Sequence, residues 1–151
     1  MTSRAKTLVA AARAWVGTPY LHQASLRGAG CDCLGLIRGV WREVHGAEPL
    51  PIPAYTPDWS EPQGDERLWR AAHGLLRKGR GRPGDLLLFR MRDGAVAKHL
   101  GILTEGGETP AFVHAMSGHG VLESPLSAPW AARVVARFDL ASGPRRTKGA
   151  A

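Results

Sequence analysis

The chain changes its hydrophobic period once, at Gly81-Arg82-Pro83-Gly84-Asp85, and that switch limits the folds open to it. Before it, apolar residues recur every three or four positions, the spacing of helices with one buried face. After it they gather in short apolar runs cut by turn residues, the spacing of strands. Leu8, Val9, Ala12, Trp15 and Val16 define a first helix, capped by Thr2 or Ser3 and stopped by Gly17 and Pro19. A second helix takes Asp32 as its N-cap, places Cys33, Ile37, Val40, Trp41 and Val44 on one face, and ends at Gly46. Residues 65–78 predict a third helix through Leu68, Trp69, Ala72, Leu75 and Leu76. Residues 17–31 and the stretch 47–64, with its five prolines, read as loops. Strands are expected at 86–89, 98–105, 111–116, 120–123 and 133–140. Helices followed by an antiparallel sheet are the α+β pattern.

A chain of 151 residues is one domain's worth. We place the domain at residues 1–140 and read 141–151 as a basic, flexible tail. No window reaches the roughly 18 uninterrupted apolar residues of a membrane span, and no transmembrane segment is expected. No secretion signal is read either, so synthesis in the cytoplasm is expected. Cys31 and Cys33 are too few for a disulfide framework or a four-cysteine zinc site, so neither metal nor other cofactor is expected. The net charge is +7, and 16 of the 20 cationic residues are Arg. That balance favours anionic partners in general, but Arg-rich composition also follows from genome base composition. No nucleic-acid role is expected.

Cys33 falls in the first turn of its helix, where unpaired backbone N–H groups and the helix dipole favour negative charge. A thiol there has a lowered pKa, and the thiolate is the nucleophile. A small buried apolar residue is the other reading of a lone cysteine. A cysteine nucleophile needs a base, and the base an orienting partner. Of six histidines, His45 sits at a helix end, His73 on a helix face, His119 in a turn and His22 in a loop. His99 and His114 lie inside apolar strand segments. A two-residue turn at Gly106-Gly107 sets them directly opposite each other, with Cβ atoms about 5 Å apart. Pro110 can demand a longer loop. A register shift of two keeps both rings on one face, and a shift of one separates them.

Five segments follow in order: Gly17-Thr18-Pro19-Tyr20, Cys31-Asp32-Cys33-Leu34-Gly35-Leu36, Pro83-Gly84-Asp85-Leu86, Lys98-His99-Leu100-Gly101-Ile102 and Phe112-Val113-His114-Ala115. Together they resemble the NlpC/p60 superfamily of papain-like cysteine peptidases, over about residues 5–138. The resemblance implies an α+β papain-like fold, with N-terminal helices packed on a C-terminal antiparallel sheet. It implies Cys33 as nucleophile, His99 as general base and His114 as the orienting third residue. Tyr20 then lines the cleft, and Asp32 either holds a free substrate amine or serves only as N-cap. The substrate implied is a peptidoglycan stem peptide, cut between γ-D-glutamate and a diamino acid through a thioester. Leu34 replaces the usual Ser, and Leu21-His22-Gln23-Ala24 replace the usual Trp-Gly-Gly. These departures resemble a subgroup of phage and gene-transfer-agent tail peptidases, which implies tail or baseplate proteins as partners and action at the target cell's wall. A structural tail adaptor with little or no activity is the alternative.

Overall fold

The computed structural model describes residues 1–49 and 64–145. The expected Pro-rich loop therefore lies largely outside the described residues, as does the end of the chain from 146. Helix α1 runs Ser3–Ala14, with the Thr2 side chain accepting from the Ala5 N–H. A two-stranded ribbon, β1 (Ser25–Leu26) and β2 (Gly30–Cys31), occupies the segment read as loop. Helix α2 runs Cys33–His45 and α3 Arg67–Leu75. Strands β3 (Asp85–Phe89), β4 (His99–Glu105), β5 (Ala111–Met116) and β6 (Gly120–Pro125) follow, then the short helix α4 (Ala128–Ala131) and β7 (Val134–Asp139). The five longer strands form one antiparallel sheet in the order β6-β5-β4-β3-β7. The fold is thus α+β, helices first and sheet after.

Helix α3 is shorter than its periodicity suggests. At Leu76 the backbone turns extended, and the chain continues along the sheet edge, where Gly79 N–H donates to Arg137 O and Asp139 N–H to Arg77 O. Satisfying the exposed edge of β7 outweighs another turn of helix. At the far end of the sheet the first residues beyond 140 are anchored. Ala141 is buried, Ser142 bonds Asp139, and Arg145 donates to Leu76 O.

Side chains alternate across the sheet. Leu86, Leu88, Leu100, Ile102 and Val113 join Leu8, Trp15, Leu36, Val40 and Trp41 in the core beneath the helices. Leu87, Phe89, Leu103 and Phe112 form a second cluster on the other face, covered by Leu126, Met91, Val134 and Trp130. Helix α2 packs on β4 and β5, which brings its first turn to the start of β4.

Close backbone approach fixes where α2 begins. A Cβ on Gly35 would lie 1.8 Å from the Ala24 carbonyl oxygen. Gly35→Ala should therefore push the ribbon loop off the helix and cost about 1–3 kcal/mol. Gly74→Ala, in α3 with nothing within 4 Å of the added carbon, should be neutral or stabilise by up to about 1 kcal/mol. Thermal unfolding of the two variants checks the contrast; equal midpoints would show that the Gly35 contact relaxes freely.

Candidate functional site

Asp32 organises the start of α2. Its Oδ1 accepts from the Gly35 N–H at 2.7 Å, the N-cap bond, and its Oδ2 accepts from the Gln23 N–H at 2.8 Å. The residue is only 2% exposed, and His22 Nδ1 lies 3.7 Å from Oδ2 on the solvent side. The N-cap reading is therefore realised, and the same carboxylate also ties down the preceding loop. Tyr20, half-buried, pairs with Cys31 in an isolated bridge. Burial, then the nearby Cys33, Asp32 and Cys31 charges, push its phenol up to about 12. Cys31 is fully buried.

Cys33 opens α2. Its Sγ–H donates to Lys98 O at 3.4 Å, and the Leu100 N–H is also aimed at the sulfur. The sulfur thus rests against the backbone on both sides of His99. The amides of Leu34 and Cys33 itself point at it as well and favour the thiolate. Burial nonetheless outweighs these amides, with the Asp32 charge next, and the thiol is pushed up to about 12. The lowered thiol pKa expected from helix position is not what the surroundings produce, because desolvation exceeds the helix-terminus effect.

His99 and His114 come together through a different register from the expected one. The turn is not the two-residue Gly106-Gly107 hairpin. The connection spans residues 106–110, with a bulge between Leu103 and Glu105, and His114 pairs with Gly101 rather than His99. The shift is by two, so both rings keep one face, and His99 Nε2 lies 2.9 Å from His114 Nδ1. Phe89 packs on His99, Phe112 on His114, and Trp130 on both. His114 Nε2 is in turn 2.9 Å from Ser124 Oγ. Burial pushes His99 down to about 3, helped by His114, and His114 down to about 4. Burial thus favours the neutral form of the thiol and of both imidazoles.

A family model described as NlpC/P60 family matches residues 17–138. The chain belongs to the NlpC/P60 family. Among solved structures it is similar to the NlpC/p60 domain of the peptidoglycan hydrolase SagA. That match has 27% identity, 81% of this chain and 89% of that one covered, and a TM-score of 0.54. It also shares its fold with an NLP/P60 family protein from Staphylococcus aureus that is similar to a lipoprotein. There the identity is 19%, with 93% of this chain but 42% of that one covered and a TM-score of 0.58. No curated protein matches.

Within this NlpC/P60 domain three contributors carried no sequence signal. Ser124 and Trp130 reach the imidazoles from β6 and α4. Glu66 Oε1 accepts from the Ala97 N–H at 2.7 Å and its Oε2 from Arg90 at 2.9 Å, which anchors the approach to β4. All three depend on contacts far apart in the chain. Among the described residues no cluster of three or more metal-type ligands occurs, and no helix is long and apolar enough to cross a membrane.

Folding holds both imidazoles well below their ordinary value of 6.5. Between that value and about 4, the unfolded chain takes up protons that the folded chain excludes. The stability this linkage contributes is complete above 6.5 and falls away as pH drops towards the folded values. The thermal midpoint should decline from pH 7 to pH 5, above the range where most carboxylates titrate, and His114→Asn should flatten that slope. An unchanged slope in His114→Asn would exclude His114 as its source.

Proposed function

We propose that the chain is a cell-wall hydrolase, a cysteine endopeptidase of peptidoglycan stem peptides, with Cys33 as nucleophile, His99 as general base and His114 as the residue that orients it. One observation carries the reading. The thiol rests against the backbone flanking His99, and the His99 ring is hydrogen-bonded to His114, in a fold similar to a peptidoglycan hydrolase domain. Because burial favours the neutral thiol and imidazole, His99 takes the thiol proton as the sulfur attacks the scissile carbonyl. The developing oxyanion meets the Cys33 backbone N–H at the start of α2. Collapse expels the amine, which takes the proton from His99 and leaves a thioester on Cys33. Water then attacks the thioester, losing a proton to His99, and collapse releases the new carboxyl group and the Cys33 sulfur, which takes that proton back from His99. Tyr20 borders the sulfur, and the Asp32 charge beneath His22 attracts a free substrate amine. On this reading the bond cut is γ-D-glutamyl to diamino acid, and no cofactor takes part.

The departures at Leu21–Ala24 and Leu34 support a finer proposal, that the enzyme is carried by a phage-like tail and acts at the wall of the target cell. The bonded imidazole pair favours an active enzyme over the adaptor alternative, because a purely structural role gives no reason to bury two imidazoles.

Digestion of diaminopimelate-type peptidoglycan, followed by mass spectrometry, tests the chemistry. The parent should release new termini. Cys33→Ala and His99→Ala should lose turnover, while His114→Ala should keep a small fraction. Products from Cys33→Ala equal to the parent's would overturn the mechanism. For the tail, the protein should co-purify with tail or baseplate proteins from particle-producing cells; recovery only as a free monomer would count against carriage.

A further inference from the structure

Two hydrogen-bond directions are open to the imidazole pair, and only one makes a base. In the first, His99 Nε2–H donates to His114 Nδ1, and His114 Nε2–H donates to the Ser124 hydroxyl oxygen. His99 Nδ1 then carries a lone pair that can receive the thiol proton. In the second, the Ser124 O–H donates to His114 Nε2, and His114 Nδ1–H donates to His99 Nε2. The His99 Nδ1 then carries a hydrogen and cannot accept another. The two arrangements differ in the direction of the Ser124 hydroxyl and, with it, in the tautomer of both rings.

We propose that Ser124 is a positioning residue whose hydroxyl accepts from His114 and so fixes the lone pair on the Nδ1 of His99; the catalytic consequence rests on the peptidase reading above. Three observations point the same way. The strand register places Ser124 opposite Phe112, on the face that carries His114, so the 2.9 Å contact is a diagonal one across β5 and β6. The ring of His114 cannot reorient freely, because Phe112 lies 4.2 Å and Trp130 5.0 Å from it between centroids. Finally, Ser124 is only partly buried and lines a surface cavity of about 550 Å³ with Glu108, Glu123 and Ser127. The hydroxyl hydrogen has open space on that side to point into, away from His114, which leaves the Ser124 oxygen to accept from the ring. When the thiol gives its proton to His99 Nδ1, the hydrogen on Nε2 stays in its bond to His114, and no second proton has to move.

Nitrogen-15 NMR of the histidine rings in the full chain at neutral pH reads the hydrogen positions directly. The expected spectrum has His99 and His114 both as Nε2–H tautomers. Ser124→Ala should mix the tautomers of both rings and lower kcat on peptidoglycan about tenfold with KM unchanged, and Ser124→Thr should restore both. An Nδ1–H tautomer on His99 in the parent, or a Ser124→Ala protein with parental ring signals, would overturn the proposal. A parent without peptidase activity would sink the functional reading alone, since the ring signals still decide what Ser124 does.

Discussion

The buried carboxylate of Asp32 is the contact on which the arrangement of the site depends. One oxygen caps α2 through Gly35, and the other holds the loop through Gln23. A side-chain cap of this kind is worth about 1 kcal/mol, but its geometric effect is larger. It starts the helix at Cys33, the residue after the cap, and presses the loop so close that only glycine fits at 35. Packing of α2 on β4 and β5 then delivers the thiol to the strand that carries His99. Loss of the Asp32 contacts would free the helix start, the loop and the sulfur together.

The second constraint is desolvation. Two imidazoles buried among Phe89, Phe112 and Trp130 cannot both hold a charge, nor can their nitrogens go unpaired without cost. A chain of hydrogen bonds to Ser124 at the protein surface answers the second requirement. The lowered pKa of each ring reflects the first. The same burial lifts the Cys33 thiol against the pull of the helix amides. On the peptidase reading, the proton then leaves the sulfur as substrate is attacked rather than beforehand.

Much of this was legible in the sequence because it is local. Helix caps and turns act within four residues, so Asp32 as N-cap, Cys33 in the first turn and the strand at 111–116 follow from neighbours alone. The parity of each strand is also local, so His99 and His114 could share a face for any register displaced by an even number of residues from the expected pairing, but not for an odd one. The ordered segments from Gly17 to Ala115 carried the family resemblance for the same reason: each is a short stretch with its own backbone task.

What the chain order could not decide was settled by contacts between distant segments. The loop of residues 106–110 and its bulge shifted the histidine pair by two positions, because the close of a hairpin depends on how both strands pack and not on the Gly-Gly pair alone. Ser124, Trp130 and Glu66 reach the site only after the sheet has closed. The thiol's acidity depends on how much protein surrounds the sulfur, a property of the packed interior rather than of helix position. The sequence by itself thus determined the α+β order, the helix start and the two strands that carry the histidines. Tertiary structure alone decided the register, the hydrogen-bond chain to Ser124 and the preference for neutral thiol and imidazoles, since burial and long-range pairing do not exist until the elements pack.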